Sequence, residues 1–176
     1  MKRIWDRLGI VFYNFFVTHI PFYTIRHGVL RLWGAKIGKG SAIFRNTTVL
    51  GIDKIRIGEN VVLSFRGMLD ARGGLTIGNN VVIASDVHFI TGTHDPDSDT
   101  FEYSLEPIVI GDFVWIASRS MVLEGLTVGR GAVVAAGSLV RTSIPPMTIA
   151  AGIPAKAVRE RRSSLDYVTT FRPKLY

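Results

Sequence analysis

Histidine is the side chain in this sequence with the widest choice of chemistry, because its ordinary pKa lies close to neutral pH. The chain has four histidines and no cysteine, which excludes disulfides, thiolate–metal sites and a cysteine nucleophile. His88 and His94 lie six residues apart in the middle of the chain, whereas His19 and His27 lie near its start. The central pair raises two chemistries, metal ligation and general base catalysis.

Acidic side chains directly follow the last of these histidines in a spacing that imitates a calcium-binding loop. Asp95, Asp97 and Asp99 alternate, and Glu106 stands at the twelfth position of the series. However, Thr100 occupies the place where such a loop requires glycine, and no flanking helices are evident. We therefore expect no calcium site at this segment.

A short motif recurs through the chain and identifies the elements that must position these residues. Its copies begin at Ile37, Ile57, Ile77, Ile110 and Val128, which are 20, 20, 33 and 18 residues apart. Within the copies an aliphatic residue returns at every sixth position. This period is typical neither of an amphipathic helix nor of a simple alternating strand.

A period of six suits a chain that turns a corner every six residues and points one aliphatic side chain inward from each flat face. Three faces make one coil, and stacked coils share an apolar column that no single coil could bury. Glycine after the aliphatic residue, as at Gly38 and Gly58, offers the permissive backbone that a corner demands. The sequence therefore predicts an all-β solenoid of about five parallel coils over roughly residues 35–150. The predicted inward series are Ile37, Ile43, Val49, Ile55; Ile57, Leu63, Leu69, Leu75; and Ile110, Ile116, Val122, Val128, Val134, Val140.

The 33-residue gap between two copies of the motif contains an excursion from the solenoid, between Phe89 and Ile108. His94 stands where the chain departs, and insertions into a regular solenoid commonly have a function. His88 and His94 are six apart, so they should occupy successive faces and point in different directions. Since no third histidine falls in the repeats, we expect no metal site.

The segments around this excursion resemble the hexapeptide-repeat acyltransferases, and sugar O-acetyltransferases of the maltose, galactoside and surface-polysaccharide types most of all. The similar segments are LDARGGLTIGNNVVI, TGTHDPDS, PIVIGDFVWIASRSMVLEGLTVGRGAVVAAGSLV and IPPMTIAAGIPAK, and the resemblance covers roughly residues 31–160. It implies a left-handed parallel β-helix with an extruded catalytic loop. It also implies acetyl-CoA as donor, a sugar hydroxyl as acceptor, and a homotrimer whose active sites lie between neighbouring chains.

The resemblance further implies roles for individual residues. It makes His94 the general base, which acyl transfer to a hydroxyl needs because the pKa of a hydroxyl lies far above neutral. Ser118 and Ala136 would approach the pantetheine arm of CoA, and Lys156 and Arg159 its phosphates. The implied cofactor-binding residues are Trp115, Ser118, Ala136, Arg141, Lys156 and Arg159.

Two positions depart from the family pattern. Arg141-Thr142-Ser143 replaces a frequent Thr-Lys, which shifts the cation by one residue. Ser64 replaces an asparagine of the galactoside enzymes, so the acceptor should differ from a simple galactoside. Asp70 could hold the acceptor, orient the catalytic histidine, or merely cap a corner. Ser64, Asp70 and His88 are the candidate acceptor-binding residues.

The N-terminal segment has no formal charge from Leu8 to Ile25, a length that approaches a bilayer span. Polar residues such as Asn14 and Thr18 interrupt it, so we expect helices that lie on a membrane surface or pack on the open end of the solenoid. Residues 1–34 would form this segment, 35–160 the β-helix and 161–176 a basic tail. On a membrane, apolar area would come from Trp5, Phe12, Phe15 and Phe16, and headgroup contacts from Lys2, Arg3, Arg7, Arg26 and Arg31.

The net charge of +7 favours an anionic partner, such as a phosphorylated cofactor or an anionic membrane surface. The cations are dispersed and no nucleic-acid motif is present, so we do not expect nucleic acid as a partner. The resemblance implies an acetyltransferase of surface-polysaccharide biosynthesis, in the cytoplasm or at the inner face of its membrane. A metalloenzyme like the γ-carbonic anhydrases and a non-catalytic saccharide-binding scaffold, both on the same fold, remain alternatives.

Overall fold

The computed structural model describes residues 2–171. Two α-helices begin the chain, α1 (Lys2–Phe15) and α2 (Tyr23–Leu32), and two short 3-10 helices span Val17–His19 and Ile52–Lys54. All other regular elements are strands of two to six residues. The first nine are β1 (Lys36–Ile37), β2 (Ala42–Ile43), β3 (Thr48–Leu50), β4 (Ile55–Ile57), β5 (Val62–Leu63), β6 (Met68–Asp70), β7 (Leu75–Ile77), β8 (Val82–Ile83) and β9 (His88–Phe89). The remaining ten are β10 (Gly92–His94), β11 (Tyr103–Leu105), β12 (Ile108–Ile110), β13 (Trp115–Ile116), β14 (Met121–Val122), β15 (Thr127–Val128), β16 (Val133–Val134), β17 (Leu139–Val140), β18 (Thr148–Gly152) and β19 (Ala155–Glu160).

Apart from β10 and β11, which pair with each other, the strands form three sheets of mainly parallel strands, and these are the three faces of one solenoid. Face one contains β1, β4, β7, β12 and β15, and face three contains β3, β6, β9, β14 and β17. Face two contains β2, β5, β8, β13, β16 and β18, to which β19 adds an antiparallel edge. The solenoid prediction is confirmed, with a sixth, partial turn beyond the five coils expected.

One column of aliphatic side chains lines each face from the inside. The strand register pairs each of these residues with the equivalent residue of the next turn. Ile116, for example, pairs with Ile83 below and Val134 above, and all three side chains are fully buried. The predicted inward series are all buried, with exposures of at most 8%. The period of six therefore identified the core correctly, because each face contributes one inward side chain per turn.

Glycine is required at the repeated position for a reason different from the one expected. The backbone of these glycines is not left-handed; that conformation falls two residues later, at Asn60 and Asn80. Instead the glycines of successive turns stack so closely that a Cβ on Gly58 would lie 2.6 Å from the carbonyl oxygen of Gly78. Glycine is needed here because the backbones of neighbouring turns approach too closely for a side chain.

The N-terminal helices close the first turn of the solenoid by satisfying backbone groups on all three faces. The Asn14 amide donates to the carbonyl of Val49 and accepts from its N–H, both at 2.9 Å. His27 Nε2 accepts from the N–H of Ile43 at 3.1 Å. Arg31 donates to the carbonyl of Ile37 at 2.8 Å. An unpaired sheet edge is thereby covered, and Tyr13 and Leu30 extend the core into the helices.

This arrangement corrects the role expected for Arg26. Its side chain is fully buried and donates to the carbonyls of Ile43 and Ile20, so it does not face membrane headgroups. The side chains of Lys2 and Arg3, also expected to face headgroups, lie outside the described residues. Within residues 2–171, none of the helices combines the length and the apolar composition that a membrane span requires.

The C-terminal segment folds back along the corner between faces one and two. Arg161 donates to the carbonyls of Phe113 and Gly131 at 2.9 and 3.0 Å, which lie on successive turns. Farther down the same corner, Thr169 N–H donates to Asn80 Oδ1 at 3.4 Å. Residues 172–176 of the predicted basic tail lie outside the described residues. One corner of the solenoid is thus covered by the chain's own end.

Candidate active site

The predicted loop is a β-hairpin that leaves the solenoid at the corner between faces three and one. β10 pairs antiparallel with β11, and His94 lies opposite Tyr103 in the register. Buried Thr91 anchors the root: its hydroxyl accepts from the N–H of Gly73 at 2.9 Å, and its carbonyl accepts from the N–H of Glu106 at 2.9 Å. The hairpin therefore starts from a fixed point while its tip stands in solvent.

The His94 imidazole is exposed but held in one orientation. Its Nδ1 lies 3.0 Å from the carbonyl oxygen of Phe101. A carbonyl oxygen only accepts, so Nδ1 carries the proton of the neutral ring and the lone pair lies on Nε2. The ring stacks on that of Phe101, with centroids 4.3 Å apart, and tilts against Tyr103 at 5.0 Å. This geometry leaves Nε2 as the basic atom.

Phe101 adopts a backbone that a bulky residue rarely takes, with φ of 50°. Its N–H donates to the carbonyl of Ser98 at 2.9 Å, and Asp95 N–H donates to the carbonyl of Glu102 at 2.9 Å, which closes the tip. Corners of the solenoid take the same conformation, for example at Phe113, and it costs about 1 kcal/mol or more for a bulky residue. Here it places both the carbonyl and the ring of Phe101 against His94.

Asp70 lies below the hairpin and contacts His94 only through other side chains. Its carboxylate is fully buried and accepts from Arg72 Nε at 2.8 Å and Nη2 at 2.9 Å. It also accepts from the N–H of Thr91 at 3.3 Å. Burial raises the pKa of Asp70, but the hydrogen bonds and charge of Arg72 outweigh this and hold it below its ordinary value. The Arg72 guanidinium in turn lies 5.7 Å from the centroid of Tyr103.

The sequence did not single out Phe101, Tyr103 or Arg72. Two signals were available: the excursion contains aromatic residues on either side of Glu102, and an arginine follows Asp70 at i+2. Neither signal indicates contact with His94 until the hairpin is known to fold back on itself.

Three of the predicted cofactor residues lie on face two and at its corner with face three. Trp115 is 48% exposed on the outer side of β13, in register with Val82 and Val133. Ser118 and Ala136 occupy equivalent places in successive turns, where the carbonyl of Ser118 accepts from the N–H following Ala136 at 2.9 Å. Ala136 is exposed and Ser118 half-buried.

The predicted cationic residues lie at the C-terminal end of the solenoid. Lys156 and Arg159 are exposed on β19, which continues face two beyond β16 and β18. Arg159 donates to the carbonyl of Glu160 at 3.1 Å. Arg141 is exposed just after β17 on face three. Two exposed cations thus stand at one end of the face that carries Trp115, and a third stands at the same end of face three.

The other two acceptor candidates lie apart from His94 within the chain. Ser64 lies at the corner between faces two and three, with its hydroxyl 3.0 Å from that of Ser85. His88 is half-buried on face three, in register with Met68 and Met121. Among the described residues no group of three histidine or acidic side chains is arranged to hold a metal ion.

Comparison with known proteins finds the same repeat. Residues 107–142 match the family described as bacterial transferase hexapeptide (six repeats). WcaF of Escherichia coli K12, which is named as a colanic acid biosynthesis acetyltransferase, is 37% identical over 139 residues, which cover 79% of this chain and 76% of WcaF.

Solved structures agree with the sequence comparison. A hexapeptide-repeat acetyltransferase from Vibrio cholerae, in complex with acetyl-CoA, superposes with a TM-score of 0.81 at 27% identity, covering 92% of this chain and 88% of that one. A galactoside acetyltransferase in complex with CoA gives a TM-score of 0.74 at 26% identity, with coverages of 92% and 81%. From its repeat, its fold and its similarity to WcaF, the chain belongs to the hexapeptide-repeat acetyltransferase family.

Proposed function

We propose that the protein transfers the acetyl group of acetyl-CoA to a hydroxyl of a sugar, with His94 as general base. Nε2 of His94 takes the proton of the acceptor hydroxyl while the oxygen of that hydroxyl attacks the thioester carbonyl carbon. The carbon–sulfur bond then breaks, and the CoA thiolate leaves and takes up the proton from the imidazolium. The observation that supports this role is the Nδ1 hydrogen bond to Phe101, because it leaves the Nε2 lone pair free on an exposed ring.

The cofactor would lie along face two. Trp115 offers an exposed aromatic surface, and Ser118 and Ala136 offer a corner with little side-chain bulk for the pantetheine arm. Lys156, Arg159 and, less directly, Arg141 would meet the CoA phosphates, where fixed cations form charge-assisted hydrogen bonds.

We further propose a homotrimer whose active sites each combine two chains. His94 leaves the solenoid at the corner between faces three and one, whereas Ser118 and Ala136 lie at the corner between faces two and three. One chain therefore presents the base and the cofactor surface at different corners. A cyclic trimer would bring the hairpin of one chain to the cofactor corner of its neighbour.

The acceptor would be a saccharide of surface-polysaccharide assembly, free or lipid-linked, as the naming of WcaF for colanic acid biosynthesis suggests. Ser64 and His88 would contact it directly, and Asp70 would act through Arg72. The enzyme would work in the cytoplasm, with peripheral contact to the inner face of the membrane.

The direct test is release of free CoA from acetyl-CoA over a panel of sugar acceptors, measured with a thiol reagent. His94→Ala should lower kcat by about 10²–10⁴-fold, with little change in KM for acetyl-CoA, because it removes only the proton acceptor. His19→Ala removes another exposed imidazole and is the matched control. A His94→Ala enzyme within a few-fold of wild type would refute the assignment.

The shared site has its own test. His94→Ala and Ala136→Trp should each be nearly inactive, the first lacking the base and the second obstructing the cofactor corner. Trimers reassembled from an equal mixture should recover about a quarter of wild-type activity, because about a quarter of sites combine two intact halves. If mixing restores nothing although mixed trimers form, each site lies within one chain.

A further inference from the structure

Helix α1 has a broad apolar side that faces outward. Large apolar side chains recur at three- and four-residue spacing along its solvent-exposed side, with exposures between 45% and 71%. The side that faces the solenoid buries Tyr13 in the core and bonds Val49 through the Asn14 amide, and Thr18 just beyond the helix donates to the carbonyl of Thr47 at 2.9 Å. A helix that only capped the solenoid would normally expose its polar side. The residues of this N-terminal apolar surface are Ile4, Trp5, Leu8, Val11, Phe12, Phe15 and Phe16.

The surface is shaped by packing as well as by composition. Trp33, which follows α2, stacks on Trp5 with ring centroids 5.3 Å apart and donates to its carbonyl at 3.1 Å. Gly9 permits this, since a Cβ there would overlap the Trp33 ring. A groove of about 450 Å³ lies between these elements, lined by Trp5, Leu8, Val11, Phe12, Phe16 and Trp33. The exposed apolar area is therefore a fixed feature of the folded chain.

The same end of the molecule holds all of the net charge. Residues 1–50 contain eight of the 21 lysine and arginine side chains and one of the 14 acidic ones, so they account for the whole +7, and residues 51–176 are balanced. Arg7, Arg31, Lys36 and Lys39 are exposed on α1, α2 and the first turn that the helices cover. Basic residues beside an exposed apolar helix are the combination that binds the surface of an anionic bilayer.

We infer that the N-terminal apolar surface docks on an anionic lipid bilayer, with the aromatic side chains inserted at the headgroup boundary and the neighbouring cations on lipid phosphates. This rests on the proposed function in one respect, since docking would bring the hairpin to lipid-linked acceptors. A second copy of this chain is a poorer occupant, because contact through this end would bring two segments of charge +7 together. An anionic bilayer supplies the opposite charge.

The experiment is flotation of the full-length protein with vesicles of neutral lipid alone, or with about a third anionic lipid, at low and high salt. Wild type should float with anionic vesicles, float much less with neutral ones, and lose binding as salt rises. Phe15→Asp should lower the bound-to-free ratio by about tenfold or more, because it removes an aromatic anchor and adds an opposing charge. Val168→Asp, at a position 59% exposed outside the N-terminal surface, makes the same charge change and should bind like wild type.

Two further results would overturn the inference. Equal flotation of Phe15→Asp and Val168→Asp would show that the apolar surface is not the contact. A smaller assembly for Phe15→Asp than for wild type in light scattering without lipid would indicate that a second copy covers the surface. CoA release with a soluble acceptor should be unchanged in both variants, so loss of docking and failure of the proposed reaction are separable.

Discussion

Acid should destabilise the protein through one buried imidazole in the N-terminal cap. His27 is 4% exposed, and its Nε2 accepts from the N–H of Ile43 at 3.1 Å. Burial, followed by the positive charges of Arg31 and Arg26, lowers the pKa of His27 from 6.5 to about 4. The ring of Tyr23 packs against it at 5.5 Å and offers no compensating negative charge. Protonation would replace an accepted hydrogen bond by two opposed donors.

The pKa difference sets the size of the effect. Because the folded-state pKa lies below that of the unfolded chain, the unfolded chain binds the proton first. The stability is therefore fully present above pH 6.5 and is lost as the pH falls toward 4. One pKa unit corresponds to about 1.4 kcal/mol, so the free energy of unfolding should fall by about 2.5 kcal/mol between about pH 8 and about pH 4.5.

The assay is urea denaturation followed by tryptophan fluorescence, at one protein concentration throughout because the proposed trimer would gain stability with concentration. Trp5 and Trp33 lie in the cap and report on it directly. His27→Gln keeps an acceptor for Ile43 but has no imidazole to protonate, so most of this pH dependence should disappear. His19→Gln, which alters an exposed imidazole, is the control. If His27→Gln and wild type lose equal stability over this range, the reasoning is wrong.

Two further perturbations test the site and the core. Asp70→Asn should lower the free energy of unfolding by about 2 kcal/mol at neutral pH, less than for a fully buried pair because the Arg72 side chain is 44% exposed. The pKa of Asp70 in the folded protein lies below 3.8. The difference in unfolding free energy between wild type and Asp70→Asn should therefore shrink as the pH falls from 3.8 through this folded-state pKa. Urea titrations at two pH values would detect this, and a difference that grows in acid would contradict it. Ile116→Ala, at a fully buried position in the inner column of face two, should cost about 3 kcal/mol in the same assay; a cost below about 1 kcal/mol would mean that the column tolerates cavities.

The period of six was sufficient to predict the solenoid and its core. Each turn packs only on its neighbours, so an aliphatic residue such as Leu63 meets the same kind of residue above and below it whatever the rest of the chain does. The insertion was also visible as an interruption of the period, and it drew attention to His94. The local sequence carries this information because the environment of each turn is repeated.

The N-terminal helices and the hairpin lie outside the repeat, and contacts between residues far apart in the chain determine their side-chain positions. Arg26 was expected to face membrane headgroups and no contact was expected for His27, yet both side chains are buried because the first turn exposes backbone groups that need partners. Similarly, Phe101 orients His94 only because the hairpin closes and its backbone adopts a left-handed conformation.

The amino-acid sequence by itself determined the three-sided column, the place of the insertion and the family. Tertiary structure decided which nitrogen of His94 is free, which cations are buried, and which side of α1 meets solvent. The physical reason is that a repeating core needs only nearest-neighbour packing, whereas hydrogen-bond partners at an end or in a hairpin come from residues far apart in the chain.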